Sequence, residues 1–91
     1  MRRVHAIVAG EVQGVGYRYT MRIVARRTGV AGWVRNRRDG TVEAEIEGTA
    51  EQLDELLAWM AEGPPGSRPV TGRVDDIPPT GEHGFEVLPT V

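Results

Sequence analysis

Apolar and polar residues change period several times along this chain. From Arg3 to Ala9 they alternate, with Val4, Ala6 and Val8 on one side and Arg3, His5 and Ile7 on the other. A period of two predicts a strand with one small apolar face and one mixed face. From Tyr17 to Thr28 the spacing becomes helical. Tyr17, Met21, Val24 and Ala25 fall on one stripe, Arg22, Arg26 and Arg27 fall off it, and Gly29 fits just past the end. Ala31 to Asn36 reads as a second strand, Asp39-Gly40 as a turn, and Val42 to Glu47 as the returning strand. In that strand Val42, Ala44 and Ile46 alternate with Glu43, Glu45 and Glu47. The acidic row is expected to face water and to pair with Arg35 or Arg3 across strands.

A second helix starts at a T-x-x-Q capping box, Thr49 with Gln52. Its buried stripe is Leu53, Leu56, Leu57 and Met60, with Trp59 expected at the margin between helix and sheet. Gly63-Pro64-Pro65 ends it. Val70 to Ile77 fits a fourth strand, broken by Pro78 and Pro79, and Phe85 to Leu88 fits a short last one. The order β-α-β-β-α-β predicts an α+β, ferredoxin-like sandwich. Its four-stranded antiparallel sheet, with a short terminal strand added, carries two helices on one face. No repeat or linker divides the chain, so residues 1–91 are read as a single domain.

Composition narrows the chemistry. There is no cysteine, hence no disulfide, thiolate metal site or thiol nucleophile, which fits a cytoplasmic setting. Met1-Arg2-Arg3 leads into no apolar signal-peptide core, and no stretch reaches the roughly 18 apolar residues of a membrane span. The formal net charge of −2 argues against a general nucleic-acid binder. The cluster Arg35, Arg37 and Arg38 at the hairpin reads first as a solvated turn. The sharper alternative is that it draws anions toward a nearby site. His5, His83 and Ser67 have no catalytic neighbours in sequence, and no His or carboxylate cluster has metal-ligand spacing, so no metal or cofactor is expected.

The richest segment is Gly10-Glu11-Val12-Gln13-Gly14-Val15-Gly16-Tyr17-Arg18, between the first strand and the first helix. Glycines permit a tight turn and close backbone approach, a helix N-terminus offers unpaired N–H groups and partial positive charge, and arginine adds a planar fork of donors. The glycine spacing is neither the dinucleotide fingerprint nor a Walker A loop, which would need a lysine this chain lacks. By itself the segment is equally a structural turn or an anion cradle.

The second informative segment is Gly32-Trp33-Val34-Arg35-Asn36-Arg37-Arg38-Asp39-Gly40-Thr41-Val42. The pair resembles the acylphosphatase family, whose signatures are G-x-V-Q-G-V-x-F/Y-R and G-W-V-x-N-x-x-D-G-x-V. Residues 10–18 and 32–42 match them at every fixed position. The resemblance implies an acylphosphatase, an enzyme hydrolysing the carboxyl–phosphate bond of acyl phosphates to a carboxylate and inorganic phosphate. It implies that Arg18 holds the phosphoryl group with the N–H groups of Gln13, Gly14, Val15, Gly16, Tyr17 and Arg18, and that Asn36 positions the attacking water. Gln13 is expected to brace the loop and Tyr17 to anchor in the core. Glu11 and Arg37 depart from the commonest residues of the family, and a Glu11 side chain turned inward would weaken anion binding. The expected partner is a small-molecule acyl phosphate, with no nucleic acid and no membrane, and the expected state is a monomer. Two other readings stay open. One is a non-catalytic module of this fold that binds a small anion or handles carbamoyl phosphate. The other is an RNA-binding sheet, disfavoured by the lack of an aromatic residue on the first strand.

Overall fold

The computed structural model describes residues 1–91. Strand β1 (Arg2–Glu11) leads to helix α1 (Tyr17–Thr28). There follow β2 (Ala31–Asn36), β3 (Val42–Gly48), α2 (Ala50–Glu62), β4 (Arg68–Ile77) and β5 (Phe85–Val87). The sheet order is β4-β1-β3-β2-β5. β1 runs antiparallel to β3 and β4, and β2 antiparallel to β3. The expected four-stranded antiparallel sheet is therefore present, and β5 adds a fifth strand at the β2 edge, parallel to β2.

The alternating positions read as apolar form the core. Val4, Ala6 and Val8 join Val34, Val42, Ala44 and Ile46 in one buried cluster with Met21 and Val24 of α1 and Leu53 and Leu56 of α2. Both helices thus cover the same sheet face, each offering the stripe its spacing defines. The α2 capping box is formed. The Gln52 N–H donates to Thr49 Oγ1 at 3.2 Å and the Thr49 N–H to Gln52 Oε1 at 2.9 Å. Leu57 is only half-buried at the edge of this core. Trp59, partly buried against the core, meets Tyr17 of α1 with ring centroids 5.2 Å apart, across the seam between the helices.

The acidic row on β3 does not face water throughout. Glu43 pairs with Arg35 at 2.7 Å and Glu45 with Arg3 at 2.9 Å, as cross-strand charges do. Glu47, however, is 3% exposed and Arg3 2%. The segment after β4 crosses the end of the sheet to reach β5 and covers them. The N–H groups of Thr80 and Gly81 donate to the Glu47 carboxylate at 2.7 and 2.9 Å, and Arg3 Nη1 reaches it at 3.2 Å. Buried charges survive only when paired and hydrogen-bonded, and this pair is both.

Candidate active site

The site lies at the opposite end of the sheet, where β1 runs into α1. Gly14 and Gly16 have φ of 76° and 78°, while no residue other than glycine has positive φ. The sign of φ therefore alternates from Gln13 to Tyr17. Successive residues of opposite hand turn their N–H groups toward one concave side, the geometry of an anion-binding nest. A Cβ at Gly14 would touch nothing, so glycine is needed there for its backbone conformation and not for space. Gly16 is also the N-cap of α1, in the left-handed region and with no side-chain cap, and no acidic residue occupies the first turn. None of the N–H groups from Gln13 to Tyr19 donates to a protein acceptor. The helix's positive end and the loop's donors are left open together.

A pocket of about 200 Å³ opens beside this loop, lined by Gly14, Gly16, Tyr17, Arg18, Val12 and Val87 among others. Arg18 forms no ion pair in the fold, although nine ion pairs occupy other charged residues. Glu11 does not line the pocket. Its carboxylate faces Arg68 at 3.8 Å across the β1–β4 pair, which removes the objection that it might repel an anion.

Asn36 reaches the same end of the sheet by register. Val8 of β1 is opposite Val42 of β3, and Val42 is opposite Asn36 of β2, so the three form one row on the helix-covered face. Val34, two residues earlier on that face, neighbours Val87 of the pocket wall. Asn36 is 9% exposed, and its buried Oδ1 has no hydrogen-bond partner. A buried amide left without a partner is unusual and calls for one. Its backbone carbonyl is occupied, accepting from the Val91 N–H at 3.1 Å.

Gln13 joins the two motifs physically. Its Nε2 donates to the Arg37 carbonyl at 2.7 Å and to the Thr41 carbonyl at 2.9 Å, tying the glycine loop to the hairpin that follows Asn36. Val15 packs half-buried against the core. The Tyr17 side chain is also buried, and its hydroxyl donates to the Met60 carbonyl at 2.7 Å. Burial pushes that hydroxyl above its ordinary value, so it stays protonated. Of the residues singled out in the sequence, then, Gly14, Gly16, Tyr17 and Arg18 line the pocket. Gln13 ties the loop to the hairpin, Val15 packs against the core, and Asn36 lies at the same end of the sheet without lining the pocket.

The remaining charges are mostly spent on structure. Arg35 is held by Glu43 and stacks 4.8 Å over the Trp33 ring, on the sheet face away from the helices. Arg37 lies 3.9 Å from Asp39. The Thr41 hydroxyl and N–H hold the Asp39 carboxyl below its ordinary value. A larger cavity of about 340 Å³ lies at the far end of the sheet, near Gly29, Glu47, Glu82 and His83. It lies away from the glycine loop and from Arg18. No group of His, Cys, Asp or Glu side chains is arranged to hold a metal ion, and no helix is long and apolar enough to cross a membrane.

Beyond the site residues expected from the sequence, Tyr19, Arg22 and Val87 also line the pocket. The signal for Arg22 was available, since it follows Arg18 by one helical turn. Val87 carries no such local signal, because only the β2–β5 pairing brings it here.

Comparison with known proteins gives the family and agrees with the fold. The family model described as Acylphosphatase matches residues 4–87. An acylphosphatase of Thermococcus kodakarensis is 48% identical over 86 residues, covering 94% of each chain. One of Methylococcus capsulatus is 52% identical over 90 residues, covering 97% of each. Among solved structures, that of an acylphosphatase from Coxiella burnetii superposes with a TM-score of 0.90 at 31% identity, over 96% of this chain and 92% of that one.

Proposed function

The chain belongs to the acylphosphatase family, and from that premise we propose how its residues hydrolyse an acyl phosphate. The phosphoryl group sits against the N–H groups of Gln13 to Arg18, with the Arg18 guanidinium on its oxygens. The Asn36 amide holds a water in line with the phosphorus–oxygen bond to be broken. Water oxygen bonds to phosphorus as the bond to the acyl oxygen breaks, the acyl group leaves as a carboxylate, and a phosphate oxygen takes the water's proton. A carboxylate has a pKa of about 4, so the leaving group needs no proton donor at neutral pH. Phosphoryl transfer then rests on placement and on stabilising charge, which fixed N–H dipoles and an arginine supply. That is why a site without a cysteine, a paired histidine or a metal cluster suffices.

One observation carries this assignment: the run of N–H groups from Gln13 to Tyr19 without protein acceptors, ending beside an arginine that has no carboxylate partner. A phosphoryl dianion satisfies both. The assignment extends to a monomer acting in the cytoplasm on small molecules, consistent with a net charge of −2 and the absence of cysteine. Titration with inorganic phosphate tests the cradle. Amide shifts should concentrate between Gln13 and Tyr19, and Arg18→Ala should weaken phosphate inhibition and turnover together. Phosphate-induced shifts elsewhere on the molecule, or full phosphate affinity in Arg18→Ala, would contradict it.

A further inference from the structure

The pocket holds a second arginine that phosphate binding does not use. Arg22 lines it together with Arg18, and its guanidinium lies 4.8 Å over the Tyr19 ring, which is 62% exposed. The ring holds the guanidinium there by a cation–π contact. Arg22 has no carboxylate partner, and no acidic residue lines the pocket. Two neighbouring cations in one concavity without a counter-charge repel each other and attract a doubly anionic ligand. The four-residue step from one to the other advances the helix by about 6 Å. Val12 and Val87 give the pocket an apolar wall, suited to a spacer between two anionic groups.

We propose that Arg22, held by Tyr19, is a second anion subsite that selects acyl phosphates carrying another negative group at the far end of the acyl moiety. This rests on the phosphate assignment to the Gly14–Arg18 cradle. The substrate class is then a dicarboxylic acid phosphorylated on one carboxyl. Arg22 is a specificity residue and takes no part in the bond changes.

The test compares 4-carboxybenzoyl phosphate with its neutral counterpart, 4-carbamoylbenzoyl phosphate, neither of which can cyclise. The readout is the ratio of kcat/KM for the charged over the neutral substrate, so intrinsic reactivity cancels between variants. In Arg22→Gln the ratio should fall about tenfold, through KM, and Arg22→Lys should recover part of it. Arg27→Gln removes the same charge from α1 outside the pocket and should leave the ratio alone. An unchanged ratio in Arg22→Gln, or an equal fall in Arg27→Gln, overturns the subsite while turnover of both substrates keeps the enzyme assignment standing. Turnover of neither substrate by the folded wild type overturns both.

Discussion

Removing the Gln13 side-chain amide tests how the two motifs are joined. Gln13→Ala deletes the hydrogen bonds to the Arg37 and Thr41 carbonyls, at 2.7 and 2.9 Å. Each such bond contributes about 0.5–1.5 kcal/mol net. Neither carbonyl is orphaned by the loss. The Arg37 carbonyl still accepts from the Gly40 N–H at 3.1 Å, and that of Thr41 from the Arg37 N–H at 2.8 Å. The cost should therefore stay near the sum of two ordinary bonds, about 1–3 kcal/mol, without a buried-acceptor penalty. For a domain of this size that lowers Tm by roughly 4–24 °C. Turnover should fall further than stability suggests, because the loop loses its fixed position relative to Asn36. A small displacement of positioning groups costs about 100-fold in rate. Gln13→Glu sharpens the test, since its carboxylate would face two carbonyl oxygens at neutral pH and regain a donor only on protonation. Thermal unfolding by circular dichroism and benzoyl phosphate hydrolysis measure the two effects. Wild-type turnover in Gln13→Ala at a lowered Tm would show that this tie does not set the site, and an unchanged Tm would refute the energetic argument.

Tyr17→Phe should cost about 2 kcal/mol by denaturant unfolding, because it strands a buried carbonyl. The Met60 carbonyl takes the Tyr17 hydroxyl at 2.7 Å, and the residue four places on, Pro64, has no N–H to offer. A cost under about 0.5 kcal/mol would contradict this. Acid should destabilise the fold through carboxylates held below their ordinary values of 3.8 for Asp and 4.5 for Glu. These are Asp39 beside Thr41, Glu47 beneath the Thr80 and Gly81 N–H groups, and Glu43, where hydrogen bonds from His5 and Arg35 outweigh burial. A depressed folded value means the unfolded chain takes up protons first. Their stabilisation is thus complete above the ordinary values and is lost as pH falls through the folded ones. Urea midpoints should hold from neutrality to about pH 5 and decline below about pH 4, and a midpoint that rises on acidification would reverse the sign.

Local patterns reported the fold well wherever one face of an element is buried. The Tyr17–Thr28 helix and the Ala31–Asn36 strand have the boundaries their spacing and glycines imply. Long-range contacts were less legible. Alternation placed Arg3 and Glu47 on the face away from the helices, correctly, but nothing local shows that residues 78–82 fold back over them. The partner of Trp59 was not legible for a similar reason, since Tyr17 lies on the other helix. The two site motifs could be read because each is contiguous. Their juxtaposition could not, because it depends on the Val8–Val42–Asn36 register and on the two bonds from Gln13. Arg22 went unread because an arginine on a polar helix face looks solvated until Val87 closes the pocket beside it.

The most direct measurement is benzoyl phosphate hydrolysis at neutral pH with a chelator present, wild type beside Asn36→Ala, and a phosphate monoester as control. Wild type should hydrolyse benzoyl phosphate and spare the monoester, whose alkoxide leaving group would need a proton donor. Asn36→Ala should lose about 100-fold or more in kcat while inorganic phosphate still inhibits it normally, because the water loses its partner and the cradle does not. Near-normal turnover by Asn36→Ala, or wild-type activity abolished by the chelator, would contradict the assignment of the water and of a metal-free site.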